Sequence, residues 1–410
     1  MDMHILFVDE NNSSRQNGIG TYRDVLIHSL HKIYSPDITL ISLNAKCDTL
    51  TVNRRDYGNE YALPPVCNGK WRACGDVIWP LLRLYLDDSE HNIFIFNHSP
   101  SADFIRAMKL QFSKSKSIFV IHDQGWCAPL LGHRKLLSKV FKNSPMQVDT
   151  KGIEEYCKKE LEIYEEVDKV VCLSKSTENI LCGIYHVPRL KIVRIENGLN
   201  PSQSKRNVNR EKIRAKFGLT KDEKIILYVG RPAYHKGAAA LLEALHFLRQ
   251  KNIAVRCVFV GHIHGFADLI TYHTEIATNV ILTGQLTKKE LNQWYAIADT
   301  GVQSSYTEQC SYVALEMMNA GIPIVSSNGN GLCDMFSDDV NAFVAHINYG
   351  KNLNAYAKRL AISIEQALNA PMEQKKQYAA YNRHLLRTKY SASAMANKYM
   401  KLFRKLISAE

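Results

Sequence analysis

Two glutamates in the second half of the chain have the residue type and spacing to bind a hydroxyl-rich ligand. Glu308 and Glu316 lie in the stretch 304–331, SSYTEQCSYVALEMMNAGIPIVSSNGNG. The residues before it predict a strand, and Ser311 is a good N-cap for a helix that Gly321 ends. Glu308 is then expected in the loop at the carboxyl end of a strand, where open α/β sheets bind ligands.

The setting of this pair favours a ligand that carries both hydroxyls and an anion. Carboxylates accept hydrogen bonds from hydroxyls, while the free N–H groups of a helix N-terminus attract an anion. A nucleotide sugar offers sugar hydroxyls, a diphosphate and ribose hydroxyls in a row. The alternative is two unrelated surface glutamates, because Glu-x7-Glu by itself arises often by chance.

Two cations follow another predicted strand, in the stretch 227–237, LYVGRPAYHKG. Arg231 and Lys236 come after a glycine turn at the carboxyl end of that strand. Two positive charges there can neutralise a diphosphate leaving group, a task that a divalent metal performs in other proteins. The alternative is a solvated loop with ordinary surface charges.

The first half of the chain offers two further candidate positions. Gly18 and Gly20 follow the first predicted strand and open a helix near Thr21, so the backbone there can approach a phosphate or sugar closely. The third glycine of the dinucleotide fingerprint is missing. His122 ends a later strand. A plain strand–helix turn and a structural histidine are the alternatives.

The segment 304–331 resembles the donor site of glycosyltransferase family 4, which are retaining enzymes of the GT-B fold. It matches the family's Glu-x7-Glu motif and the small-Gly-x-Pro stretch after it. The resemblance implies that Glu308 contacts the transferred sugar and Glu316 the ribose. It also implies that Arg231 and Lys236 bind the diphosphate, and that His122 reaches the sugar.

The resemblance defines the predicted site. Cys310 and Ser311 stand where the family commonly has an aromatic residue and a glycine, so phosphate and sugar contacts there rest on backbone N–H groups. The predicted catalytic residues are His122, Arg231, Lys236 and Glu308. The predicted donor-binding residues are Gly18, Gly20, Arg231, Lys236, Glu308, Cys310, Ser311, Tyr312 and Glu316.

The pattern of elements predicts an α/β fold. Apolar strand candidates alternate with helical patterns along the chain, and the alternation restarts near residue 224, which predicts two Rossmann-like, doubly wound domains. We expect domain boundaries at 1–199 and 200–384, with a polar linker over 200–209 and a C-terminal helix, about 385–410, that returns to the first domain. The resemblance implies that the domains face a central cleft.

Charge and cysteine usage narrow the class of protein. The net charge is +12, and residues 199–410 carry 27 Lys/Arg against 16 Asp/Glu, which suits an anionic small molecule, a membrane surface or nucleic acid. RNA-binding motifs are missing, so no nucleic acid is expected. The ten cysteines are scattered, which favours reduced thiols. The N-terminus reads as a strand and lacks the features of a signal peptide, so we expect a cytoplasmic protein.

The sequence therefore predicts a metal-independent retaining glycosyltransferase of the hexosyltransferase type, with a nucleotide-diphosphate sugar as donor and no cofactor. A surface polysaccharide or lipid-linked saccharide is the expected acceptor, and a peptide stays open. An epimerase acting on nucleotide sugars and a non-catalytic binding partner are the alternatives, with an RNA-binding module third. The basic helix at 394–407 predicts packing on a domain, and peripheral contact with the inner membrane face stays open.

Overall fold

The computed structural model divides the chain into two compact units, each built from separate segments. It describes residues 3–10, 18–66, 71–142, 150–201, 209–263, 265–266, 270, 274–349 and 352–408. The N-terminal unit comprises Met1–Trp126, Arg134–Asn200 and Tyr390–Glu410, and the C-terminal unit comprises Cys127–His133 and Pro201–Lys389. Seven residues of the predicted linker, 202–208, lie outside the described residues.

An eight-stranded sheet forms the centre of the N-terminal unit, in the order β3-β4-β2-β1-β5-β6-β7-β8. All neighbouring strands are parallel except the β3–β4 pair. The strands are β1 His4–Glu10, β2 Asp37–Leu43, β3 Thr51–Arg55, β4 Gly58–Ala62, β5 Asn92–Phe96, β6 Lys116–Val120, β7 Lys169–Cys172 and β8 Ile192–Arg194. The chain leaves β1 toward one edge and returns to β5 on the other side, so the strand order reverses between β1 and β5.

Helices accompany these strands. They are α1 Gly18–Tyr34, α2 Trp71–Leu82, α3 Ala102–Gln111, α4 Arg134–Phe141, α5 Lys151–Glu166 and α6 Lys175–Gly183. The central strands are buried on both faces, as in NIFIF of β5, because helices that cover both sides of a parallel sheet exclude water from it. Trp79 of α2 is fully buried among Phe94, Phe104 and Phe112, and these rings form an aromatic cluster in this core.

A six-stranded parallel sheet forms the centre of the C-terminal unit, in the order β11-β10-β9-β12-β13-β14. Its strands are β9 Lys224–Val229, β10 Val255–Val260, β11 Val280–Gly284, β12 Thr300–Gln303, β13 Ile324–Ser327 and β14 Phe343–Ala345. Its helices are α7 Arg210–Lys216, α8 Ala238–Gln250, α9 Lys288–Ile297, α10 Tyr312–Ala320, α11 Leu353–Asn369 and α12 Met372–Thr388. Here the strand order reverses between β9 and β12.

The last helix, α13 Ala392–Ile407, belongs to the N-terminal unit and packs on α1. Its apolar stripe is buried, including Tyr399 and Phe403, which confirms the packing predicted from its amphipathic pattern. The α/β class with two parallel sheets is confirmed as well. Among the described helices, none is both long and apolar enough to cross a membrane.

Candidate functional site

The predicted cations and the first glutamate meet at one place in the C-terminal unit. Arg231 and Lys236 follow β9, and Glu308 follows β12, the two neighbouring strands between which the strand order reverses. Parallel strands end at a common edge of the sheet, and the crevice at such a reversal is where doubly wound sheets bind ligands. The Nζ of Lys236 lies 2.8 Å from Oε1 of Glu308.

The loop that carries the two cations is held by a buried tyrosine. The Tyr228 hydroxyl is within donating distance of two carbonyl oxygens, that of Arg231 at 3.1 Å and that of Lys236 at 3.2 Å. Burial raises the pKa of Tyr228, so the phenol keeps its proton. Gly237 then adopts a φ of 72°, and a Cβ there would lie 2.0 Å from the carbonyl oxygen of Ser304. The two loops therefore approach closely only because residue 237 is glycine.

Glu308 is fixed by its backbone and by its side chain. Its N–H donates to the carbonyl oxygen of Asn330 at 2.9 Å, and Ser305 Oγ donates to Glu308 Oε1 at 2.8 Å. Gly331 has a φ of 76°, and a Cβ there would lie 2.1 Å from the Glu308 carbonyl oxygen. The carboxylate is thus presented by a rigid turn, beside the ammonium of Lys236.

The positive charge of this site comes from Arg231 and Lys236 and not from the histidine between them. Burial, and then the charge of Lys236, lower the pKa of His235 to about 4. The imidazole is therefore neutral near pH 7. The Arg231 side chain is exposed, which leaves its guanidinium accessible to an anion.

Glu316 lies on α10 and has two partners from α9. The hydroxyl of Tyr295 donates to its Oε2 at 2.9 Å, and Lys288 donates to its Oε1. Sequence reasoning missed Lys288 and Tyr295, because only the packing of α9 beside α10 brings them to this carboxylate. Tyr295 is buried and next to the Glu316 carboxylate, and both effects raise the pKa of its hydroxyl.

The start of α10 confirms the predicted N-cap. Ser311 Oγ accepts a hydrogen bond from the N–H of Ala314 at 3.2 Å and donates to Oε1 of Gln303 at 2.9 Å. Cys310, Ser311 and Tyr312 are all buried. Contacts from their backbone N–H groups to a phosphate or sugar stay a prediction.

The predicted residues of the N-terminal unit lie on a different sheet. The helix α1 begins at Gly18, so Gly18 and Gly20 lie in its first turn rather than before it, and Gly20 is buried. His122 follows β6 and is half-buried, with its Nε2 2.8 Å from Oδ1 of Asn97. The side chain of Asn97 is a contact that sequence reasoning missed.

A segment from the first half of the chain completes the C-terminal unit. Leu131 packs against the hydrophobic core of that unit. The Asn330 Nδ2 donates to the carbonyl oxygen of Gly132 at 2.7 Å. The carbonyl oxygen of the same Asn330 accepts from the Glu308 N–H, so the contact with Gly132 supports the turn that holds Glu308.

The two units, each built on a mainly parallel sheet, have the GT-B fold that is found in glycosyltransferases. Sucrose-phosphate synthase from Thermosynechococcus elongatus has a TM-score of 0.73 to this chain at 18% identity, over 100% of both chains. Alr3699/HepE from Anabaena, solved in complex with UDP-glucose, has a TM-score of 0.67 at 16% identity, over 98% of this chain and 100% of that one. At these identities the likeness shows the fold alone.

A sequence match agrees with this fold. Residues 209–384 match the model of glycosyl transferases group 1. A glycosyltransferase of Methanocaldococcus jannaschii, MJ1607, which is named as uncharacterized, is 33% identical over 201 residues, or 48% of this chain and 50% of that protein. The chain spans about half the length of the curated relatives it matches.

Proposed function

We propose that the chain is a retaining glycosyltransferase that transfers a sugar from a nucleoside-diphosphate sugar to an acceptor hydroxyl without a metal ion. The match of residues 209–384 to glycosyl transferases group 1 supports the class of reaction. The observation that carries the proposal is the Lys236–Glu308 pair beside Arg231, at the strand-order reversal of the C-terminal unit. It combines cations for a diphosphate with a carboxylate for sugar hydroxyls.

The two cations act on the leaving group. When the bond between the anomeric carbon and the diphosphate oxygen breaks, negative charge grows on the diphosphate, and Arg231 and Lys236 stabilise it. The acceptor oxygen forms the new bond on the same face, and its proton passes to the departing phosphate oxygen. The configuration at the anomeric carbon is then retained, and no covalent enzyme intermediate is needed.

The glutamates orient the donor. Lys236 can bridge Glu308 and a diphosphate oxygen, because an ammonium has three N–H donors. The Oε1 of Glu308 already accepts from Lys236 and Ser305, which leaves Oε2 for a sugar hydroxyl. For Glu316 we assign the ribose. Its partner Lys288 is 59% exposed and can be displaced, while Tyr295 still fixes the other carboxylate oxygen.

The proposed donor is taken from a protein that shares the fold, and the proposed acceptor from the sequence. Alr3699/HepE, which shares the fold, binds UDP-glucose, so a UDP-sugar is the first donor to test. The expected acceptor is a growing surface polysaccharide or a lipid-linked saccharide, in the cytoplasm. A peripheral membrane contact would have to use the polar face of α13, because its apolar stripe is buried.

A thermal-shift screen against UDP-, GDP-, ADP- and CDP-sugars, with and without EDTA, tests the donor and the metal independence. A ligand at 100 times its Kd adds about 2.7 kcal/mol of stability. Stabilisation by one nucleotide class regardless of EDTA supports the proposal, while stabilisation that EDTA abolishes refutes the metal-free mechanism.

A transfer assay then separates the enzyme classes. Acceptor-dependent release of the nucleoside diphosphate, with the donor's anomeric configuration kept in the product, supports a retaining transferase. Conversion of the donor without an acceptor indicates an epimerase instead. Donor binding without any turnover indicates a non-catalytic binding protein.

A further inference from the structure

A chain of buried polar groups leads to His122 in the N-terminal unit. Asp9, at the end of β1, is 1% exposed and its Oδ2 accepts from Nη1 of Arg23 at 2.8 Å. Asn97, just after β5, is fully buried and its Nδ2 lies 3.4 Å from the same carboxylate oxygen. Its Oδ1 lies 2.8 Å from Nε2 of His122. This row of hydrogen-bonded side chains therefore crosses the strand-order reversal between β1 and β5 and ends on the His122 imidazole.

The donor and acceptor roles along this chain are fixed by chemistry. A carboxylate only accepts hydrogen bonds, so the amide NH2 of Asn97 must face Asp9. The amide oxygen then faces the imidazole, and because it too only accepts, the Nε2 of His122 must carry the hydrogen. The same reasoning that orients the amide thus selects one tautomer of the histidine.

The imidazole carries only this one hydrogen. Burial, and then the nearby His98, lower the pKa of His122 to about 3, so the ring is neutral near pH 7. Its Nδ1 therefore holds a lone pair. The ring of Tyr22 packs edge-on against His122 with 4.6 Å between centroids, which fixes the direction of that lone pair. Among the described residues, no hydrogen-bond partner occupies Nδ1.

We propose that Asp9 and Asn97 are positioning residues that hold His122 in the Nε2–H tautomer, so that Nδ1 accepts a hydrogen bond from a substrate hydroxyl. The identity of that hydroxyl as one of a sugar rests on the proposed function. The opposite tautomer would present an N–H, which suits a phosphate or carboxylate oxygen. The chain Arg23–Asp9–Asn97 thereby selects a neutral, hydrogen-donating group at this position and disfavours an anion.

The tautomer can be measured without substrate. In the full-length protein labelled with ¹⁵N-histidine, the spectrum of a His122→Gln variant identifies the His122 signals by their loss. We expect Nε2 to show a protonated, pyrrole-type shift and Nδ1 an unprotonated, pyridine-type shift near pH 7. A protonated Nδ1 in the wild-type protein overturns the proposal, and this outcome needs no substrate and no activity.

An Asn97→Leu variant tests the role of the hydrogen bonds that link Asp9 to His122. We expect its His122 to populate both tautomers and its kcat/KM for transfer to fall about tenfold, which is the loss of one well-placed hydrogen bond. Asn92→Ala, at the other end of β5, is the control, because its buried amide bonds the Asp87 carbonyl oxygen and does not contact His122. This control should keep the wild-type tautomer.

A double variant distinguishes positioning from a general effect on stability. If Asn97 acts only through His122, adding Asn97→Leu to His122→Gln should lower kcat/KM by less than twofold further. A full additional tenfold loss overturns the proposal. If no variant and no wild-type protein transfers sugar, the proposed function fails, while the spectra still decide the tautomer.

Discussion

Replacing Lys236 by methionine removes the cation closest to Glu308 and keeps a side chain of similar length. The Lys236 and Glu308 side chains are 23% and 16% exposed, between a surface pair and a buried one. Surface pairs contribute up to about 1 kcal/mol, and removing one partner of a buried pair costs about 3–5 kcal/mol. Because Ser305 still donates to the remaining carboxylate, we expect Lys236→Met to cost about 1–2 kcal/mol of unfolding free energy.

The effect on transfer should be larger than the effect on stability. Loss of one preorganised charge at the site where negative charge develops typically lowers kcat about a hundredfold, or about 2.7 kcal/mol. Lys236 also binds the diphosphate before reaction, so KM for the donor should rise as well. Initial rates over a range of donor concentrations, with saturating acceptor, give the two parameters separately.

The matched control is Lys221→Met, which removes the same charge from an exposed position just before β9. Its kcat, KM and stability should equal those of the wild-type protein. If Lys236→Met unfolds at the wild-type denaturant concentration and keeps kcat within twofold, Lys236 does not stabilise the leaving group. A rise in KM alone would also refute the catalytic role, since it reports binding that is equal in the ground and transition states.

Three further predictions concern a glycine turn, the ionisation of a buried glutamate and the packing of a buried tryptophan. Gly331→Ala places a Cβ 2.1 Å from the Glu308 carbonyl oxygen at a φ of 76°. Urea unfolding should therefore show a loss of about 2 kcal/mol or more in the free energy of unfolding. The control Gly152→Ala places its Cβ in open space and should show no loss. Burial raises the pKa of Glu160 from 4.5 to about 7, so its contribution to stability is complete below pH 4.5 and falls as pH rises to 7. Glu160→Gln should remove this pH dependence of the free energy of unfolding, measured by urea titrations at several pH values. Trp79→Ala should cost about 3–5 kcal/mol in the same assay, because the cavity it leaves lies among other aromatic rings.

The strands with continuous apolar runs were predictable from the sequence, and others were not. The strand β9, KIILYV, is an example, because its apolar run ends abruptly at Gly230, which is typical of a short buried parallel strand. The strand β3, TVNRR, was missed because it is an exposed edge strand whose pairing comes from its antiparallel neighbour β4. Its Arg55 pairs with the buried Glu60, a contact that no periodicity indicates.

The site was predictable where it depends on a strand end and not where it depends on strand order. A strand followed by a glycine turn and two cations indicates Arg231 and Lys236, and the N-cap of a helix places Glu308 before it. The distance between Lys236 and Glu308 requires β9 and β12 to be neighbours, which residues separated by 72 positions do not specify locally. The link from Asp9 to His122 needs three strands in the right order and was missed for the same reason.

The return of α13 to the N-terminal unit sets the order in which the chain can fold during synthesis. Tyr22 of α1 bonds Tyr399 of α13, and the N–H of Leu199 donates to the carbonyl oxygen of Tyr390. The N-terminal unit therefore cannot cover α1 until Ala392–Ile407 has left the ribosome, although most of its sheet is made first. A nascent or truncated chain that lacks α13 exposes the apolar face of α1, which makes it a substrate for chaperones and proteases.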